Sequence, residues 1–152
     1  MKIYESIVSE SLLAHFQNPS GKTLMNHATN ACGIDESLAL AAVFWPKLVE
    51  VEGCVFMAEF YTQPFSDLMK QFQGDKTRIE RWVNAWSLAD FFLLSSSPSV
   101  QDDTLISAYG DMLRFFWTLR LQTLFPEEIF IVELAEEIEG ERGLAITFYK
   151  ER

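Results

Sequence analysis

The spacing of the apolar residues changes three times along this 152-residue chain, and those changes limit the possible folds more than any other feature. Helical spacing of three and four residues predominates up to Trp45, where Pro46 ends it. Alternation follows from Leu48 to Met57, helical spacing then returns, and alternation resumes after Pro126. The predicted strands are therefore not interleaved one-to-one with helices, which disfavours a parallel α/β sheet.

Both alternating stretches have the pattern of a β-hairpin. In the first stretch, residues 48–51 and 54–57 flank the dipeptide Glu52-Gly53. Glycine suits the second position of a two-residue turn. Glutamate at the first position adopts a positive φ angle less readily than asparagine does. In the second, alternate residues of 130–134 and of 144–148 are apolar, and residues 136–143 form a longer tip. The sequence predicts an α+β fold, in which an antiparallel sheet of about four strands (two hairpins) packs against about five or six helices.

Six segments have helical periodicity together with caps or helix-stopping residues. They lie at about residues 3–16, 23–32, 35–45, 66–72, 76–94 and 103–125. The sequence has no internal repeat, and the loop Ser95–Ser99 is too short to separate two domains. Residues 1–152 are therefore predicted to form a single globular domain.

The net charge of −10 and the sequence pI of about 4.6 indicate the class of partner. Such a surface repels phosphate backbones and anionic lipids, so neither nucleic acid nor a membrane is expected as a partner. A basic protein is the partner class that the charge favours, although acidity also serves solubility alone.

Features that report on the cellular compartment favour the cytoplasm. Two cysteines, Cys32 and Cys54, are too few for a disulfide framework. The first residues contain acids within their apolar stretch and no cleavage site, so they do not have the pattern of a signal peptide. Nor is any apolar run long enough to cross a bilayer. We expect a soluble protein of the reducing cytoplasm with both thiols free.

The negative charge is concentrated near the C-terminus. Residues 127–142 contain seven acidic residues and one basic residue, which is a net −6 of the total −10. Glu136, Glu137, Glu139 and Glu141 crowd the predicted hairpin tip. Three interpretations are open: a solvated turn whose charges prevent pairing of strand edges, an acidic surface that docks a basic partner, or weak cation binding.

No motif in the sequence supports a catalytic site, a cofactor site or a metal site. Gly21-Lys22-Thr23 ends like a phosphate-binding loop, but the glycine required five residues earlier is absent, and a helix rather than a strand is predicted before it. The imidazoles His15 and His27 and the two thiols lack the spacings typical of zinc sites and of a nucleophile–base pair. We therefore expect no cofactor, no metal and no catalytic residue.

Charged residues within the apolar stripes of two predicted helices give a second candidate site. Asp90 and Arg120 each follow an apolar residue of their own helix by four positions, so each is predicted to lie on a packing face. A buried charge without a partner costs several kcal/mol, so Asp90 is predicted to pair with Arg120 or Arg114. The pair is interpreted either as a structural link between helices or as one wall of a polar pocket. That pocket would be lined by Trp86, Tyr109 and Trp117.

Three classes of function are compatible with the sequence. An interaction protein, such as an immunity protein or an antitoxin that binds a basic partner, is favoured by the small size, the acidity and the lack of a catalytic set. The alternative is a small-molecule-binding protein with an aromatic, helix-lined pocket. An enzyme is the third hypothesis. The predicted strand edges are also compatible with a homodimer.

Overall fold

The structure, a computed structural model, describes all residues from Met1 to Arg152 and confirms the predicted α+β class. The α-helices are α1 Leu24–Ala31, α2 Ile34–Phe44, α3 Phe65–Gln71, α4 Lys76–Val83, α5 Leu88–Phe91 and α6 Asp103–Leu124. The strands are β1 Leu48–Val51, β2 Cys54–Met57, β3 Trp86–Ser87, β4 Phe130–Glu136 and β5 Leu144–Lys150. Short 3₁₀ turns occupy Glu10–His15, Pro98–Gln101 and Ile138–Gly140.

The strands form two antiparallel sheets. β1 pairs with β2, with Val51 opposite Cys54, and β5 lies between β3 and β4 in the second sheet. Both predicted hairpins are therefore present, and β3 is a short additional strand. Glu52 and Gly53 have φ angles of 49° and 79°, so the two-residue turn takes positive φ at both positions, as the twist of a tight hairpin requires.

Helices pack on both faces of the sheets. On one face, Trp117 of α6 packs in a hydrophobic cluster with Val55 and Phe148. On the other face, Ile79 of α4 packs in a second cluster with Phe56. Successive side chains of a strand point to opposite faces, so β2 contributes Val55 to one cluster and Phe56 to the other. The architecture is therefore three layers, with helix, sheet and helix stacked in that order.

Helix α6 is the longest element and forms one of the outer layers. The side chain of Asp102 caps it by accepting hydrogen bonds from two backbone N–H groups of the first turn, and Pro126 follows its end. Gly110 faces the sheet, where an added Cβ would lie 2.9 Å from Cδ1 of Leu134, so the lack of a side chain there lets α6 approach β4 closely. Neither α6 nor any other helix has the length and hydropathy needed to cross a membrane.

Glu80 of α4 is fully buried in the gap between β2 and β5. Its carboxylate accepts hydrogen bonds from the backbone N–H of Val55, at 2.7 Å, and from that of Lys150, at 2.8 Å. The guanidinium of Arg152 forms an ion pair with the same carboxylate at 2.7 Å. The buried negative charge is thus compensated by a cation and by two backbone donors, as burial of a carboxylate requires.

Asn84 lies one helical turn beyond Glu80 and is also fully buried. Its Oδ1 accepts a hydrogen bond from the backbone N–H of Met57 at 2.9 Å. Its Nδ2 donates to the carbonyl oxygens of Val55, at 3.0 Å, and of Phe148, at 3.1 Å. The two side chains therefore join β2 to β5 at the place where the backbone ladder between the two sheets is missing.

The helix predicted at residues 76–94 is wrong in its second half. Helix α4 ends at Val83, Trp86–Ser87 pairs with β5, and only Leu88–Phe91 is helical again. The Oγ of Ser87 accepts a hydrogen bond from the backbone N–H of Asp90 and so caps this new helix. Pairing with β5 outweighs the local helical preference, because propensity is a weak term next to tertiary contacts.

The helix predicted at residues 3–16 is also wrong, since only Glu10–His15 forms a 3₁₀ turn. None of residues 1–45 is fully buried, and Ile3 and Ile7 are exposed. An amphipathic helix derives most of its stability from packing its apolar face. Residues 1–7 are all exposed, whereas α1 and α2 keep partly buried apolar side chains such as Leu24 and Phe44.

Candidate functional site

The tip of the C-terminal hairpin carries the four glutamates that the sequence singled out as an acidic docking surface. Glu136 and Glu137 are exposed, whereas Glu139 and Glu141 are partly buried. Glu137 and Glu139 have φ angles of 59° and 50°, so the chain folds tightly at this point. The tip is therefore not one uniformly solvated turn, because two of its carboxylates lie against the body of the protein.

Arg81 of α4 neutralises part of this charge. Its Nε and Nη2 donate to the two carboxylate oxygens of Glu133, each at 2.9 Å, and its Nη1 donates to Glu139. The hydrogen bond from Arg81 is the main reason that the pKa of Glu133 lies below its ordinary value. One guanidinium is shared by two carboxylates, so this cluster keeps an excess of negative charge.

A cavity of about 220 Å³ lies beside the Arg81 cluster. It is enclosed by the loop at residues 60–63, by α3, by the C-terminal end of α4 and by the hairpin tip. Its walls include three aromatic side chains and two carboxylates, those of Phe60, Tyr61, Trp82, Glu139 and Glu141. Small-molecule pockets usually measure about 300–1,000 Å³, so this cavity has the size for a single inserted side chain.

Glu141 is the carboxylate of this cavity that lacks a cationic partner, since it forms no ion pair. Burial raises the pKa of Glu141 above its ordinary value, and the negative charge of Asp90 on α5 raises it further. The partly buried carboxylate of Glu141 therefore lies beside the exposed carboxylate of Asp90, and neither forms an ion pair with a cation of the chain. A bound cation would stabilise this arrangement.

The predicted ion pair between Asp90 and Arg114 or Arg120 does not form, which corrects the sequence-based prediction. Asp90 is exposed and lies beside Glu141 instead. The prediction assumed one helical phase from residue 83 to residue 90. The chain leaves the helix after Val83 and forms β3, so that phase does not apply to Asp90.

The two arginines have other partners. Arg114 forms an ion pair with Asp111 of the same helix at 2.8 Å. The guanidinium of Arg120 lies over the ring of Trp45, 5.1 Å from its centroid, a cation–π arrangement. Neither arginine takes part in the acidic site.

The aromatic residues expected to line a polar pocket pack against one another instead. Trp86 and Trp117 stack with their ring centroids 6.3 Å apart and their planes 5° from parallel. Tyr109 stacks on Phe91 with centroids 5.5 Å apart. Trp117 is 1% exposed, so the two tryptophans form solid core where the sequence suggested a binding pocket, whereas Tyr109 lines a different and larger cavity that is described below.

Sequence reasoning did not assign Arg81, Trp82 or the loop at residues 60–63 to the site. Arg81 contacts Glu139 across 58 positions of the chain, and no local pattern reveals such a pair. The one available signal was the excess of acidic residues at 127–142. If any of these carboxylates is buried, cationic side chains from elsewhere in the chain must compensate its charge.

Comparison of the chain with protein-family models, with curated proteins and with solved structures finds no match. The function proposed below therefore rests on the geometry and the charge of this site.

Proposed function

We propose that this protein binds a basic protein partner through its acidic hairpin tip, and that a lysine or arginine side chain of the partner enters the cavity beside Glu141. The observation that carries the proposal is the partly buried carboxylate of Glu141 next to Asp90, with no cation of the chain to compensate either charge. Like charges in a cleft of reduced dielectric raise its affinity for a cation.

The other walls of the cavity suit the same ligand. Phe60, Tyr61 and Trp82 offer aromatic surfaces that attract a guanidinium or an ammonium group. Leu68 and Val83 offer apolar surface to the alkyl stem of a lysine or arginine side chain. The cavity thus combines a carboxylate for the head of the side chain with apolar walls for its stem.

The exposed carboxylates around the cavity give the hairpin tip a second role in binding. Glu136 and Glu137 face solvent, where they speed the encounter with a basic surface more than they strengthen the final complex. The same charge opposes a homodimer through this tip, because two copies would place like charges opposite each other. Immunity proteins and antitoxins are the class of cytoplasmic binder that this proposal favours, and such a role needs no catalytic step.

Replacing Glu141 with glutamine is expected to weaken binding of a nona-lysine peptide by about tenfold at low salt, which corresponds to about 1.4 kcal/mol. The substitution keeps the shape of the side chain and removes the charge that faces the cavity. Isothermal titration calorimetry measures the dissociation constant directly, and the affinity of the unchanged protein is expected to fall as salt is added.

The matched control is Glu36→Gln, which makes the same change in net charge at an exposed position of α2. We expect the control to bind the peptide nearly as tightly as the unchanged protein. Equal weakening by the two variants would mean that the peptide responds to net charge alone, and the proposed cavity would then have no role.

The same substitution is expected to stabilise the protein without ligand. The raised pKa of Glu141 means that folding disfavours its ionised form. The charge of Glu141 therefore destabilises the folded protein at pH values above the folded-state pKa. This destabilisation disappears as the pH falls below the ordinary pKa of 4.5. Glu141→Gln should therefore raise the free energy of unfolding at neutral pH by up to about 0.5 kcal/mol. The gain should shrink towards pH 4.5, which urea denaturation at several pH values can measure. A loss of stability at neutral pH would indicate a structural role for Glu141.

A further inference from the structure

A second and larger cavity, of about 800 Å³, shares no lining residue with the cavity beside the acidic tip. One wall is the N-terminal layer, which comprises the 3₁₀ turn Glu10–His15 and α1. The other wall is the N-terminal half of α6 with the loop that precedes it. This volume lies within the range of about 300–1,000 Å³ that is typical of small-molecule sites.

Few contacts hold the N-terminal layer on the cavity. His15 Nδ1 contacts Asp102 Oδ2, at the N-terminus of α6, at 2.9 Å. The hydrogen bond that Glu10 Oε2 accepts from the backbone N–H of Leu24, at 2.7 Å, lies within the layer. No residue of the layer is fully buried. Apolar side chains of both walls thus face a space that protein atoms do not fill. Among them are Leu12, Phe16, Leu105, Ile106 and Met112.

The lining also defines the charge of a suitable ligand. Fourteen of its 20 residues are hydrophobic, and none of the 20 is a lysine, arginine, aspartate or glutamate. An anionic or cationic ligand would leave water without meeting a counter-charge, at a cost of several kcal/mol. A neutral apolar molecule avoids that cost and removes the apolar walls from water.

Polar groups in the lining suit a ligand that carries a hydroxyl or carbonyl oxygen. The Nδ1 of His27 accepts a hydrogen bond from the backbone N–H of Ser20 at 3.0 Å, so the proton of its neutral ring is on Nε2. That Nε2–H forms no hydrogen bond within the chain, and the hydroxyls of Ser6, Ser97 and Ser99 also line the cavity.

We infer that this cavity binds a neutral apolar small molecule, with the N-terminal layer as its cover. The ligand class follows from the volume, the uncharged lining and the unfilled apolar walls. This inference is independent of the acidic tip and of any basic partner, since the two cavities share no lining residue.

The test uses N-phenylnaphthylamine, a neutral dye whose fluorescence rises in apolar surroundings, and its anionic analogue anilinonaphthalene sulfonate. We expect saturable binding of the neutral dye with one site per chain, and binding of the anionic dye at least about tenfold weaker. Failure to bind the neutral dye would overturn the inference, and so would equal affinity for the two dyes.

Two substitutions fill the cavity from opposite walls, so the test does not depend on the folding of one variant. Ala108→Phe enlarges a side chain of α6, and Ala28→Phe enlarges one of α1. Each should weaken binding of the neutral dye by at least about tenfold, whereas Ala42→Phe, on α2 and outside the lining, should leave it unchanged. Unchanged binding in both cavity variants would place the dye elsewhere. If light scattering instead shows that these variants convert a dimer to a monomer, a second copy occupies the cavity and the small-molecule assignment is wrong.

Discussion

Replacing Asn84 with alanine is expected to lower the free energy of unfolding by about 4 kcal/mol, because it leaves three buried backbone groups without partners at about 1–3 kcal/mol each. Those groups are the N–H of Met57 and the carbonyls of Val55 and Phe148. Domains are typically stable by only about 5–15 kcal/mol, so the loss is a large share of the total. Urea denaturation followed by circular dichroism measures it.

Two further variants make this test specific. Asn30→Ala removes an exposed asparagine of α1 that donates a single hydrogen bond, to the carbonyl of Asn26, and should change stability by less than about 0.5 kcal/mol. Asn84→Asp keeps the acceptor for Met57 but turns a carboxylate oxygen towards two carbonyls, so it should destabilise at least as much as alanine. If Asn84→Ala lowers the free energy of unfolding by less than about 1 kcal/mol, the connection between β2 and β5 does not depend on this side chain.

Glu80→Gln is expected to cost about 3 kcal/mol, the second-largest effect, because it breaks a buried ion pair. Oε1 of the Glu80 carboxylate accepts a hydrogen bond from the backbone N–H of Val55. Oε2 accepts hydrogen bonds from the backbone N–H of Lys150 and from the guanidinium of Arg152. An amide NH₂ at either position would face a donor instead of an acceptor. Thermal and urea denaturation should both detect the loss.

The exposed substitution Glu50→Gln on β1 is the control for the loss of one negative charge, and we expect it to change stability by less than about 0.5 kcal/mol. A double-mutant cycle with Arg152→Gln separates the ion pair from the backbone hydrogen bonds. Additive losses in that cycle would mean that Arg152 does not stabilise the buried charge of Glu80, contrary to the geometry.

The sequence was most informative where local chemistry decides the structure. The turn Glu52-Gly53 between two alternating segments predicted the first hairpin with its register. Apolar periodicity ended by Pro126 predicted a helix at residues 103–125, within a residue of the observed limits of α6. Each of these signals acts within a few residues of the chain, so no knowledge of tertiary contacts was needed.

The sequence was least informative where a distant contact decides the structure. Glu80 and Asn84 are four apart on a helix and have the pattern of an ordinary solvated face. They are buried because they lie between the unpaired edges of β2 and β5. The backbone groups of residues 55 and 57 on one edge, and of residues 148 and 150 on the other, bond to the two side chains. The same applies to Arg81 and the aromatic walls of the smaller cavity, whereas the acidic tip itself was predicted from composition alone.

The side-chain connection that Glu80 and Asn84 make between β2 and β5 affects the order in which the chain folds. Each hairpin can nucleate by itself, because its own turn brings its strands together. Asn84, however, bonds to residues 29 and 64 positions away, and α4 is only eight residues long, too short to persist alone in water. We therefore expect the hairpins and α4 to reach their final form together, with the closure of those long segments of chain around one short helix as the slowest stage of folding.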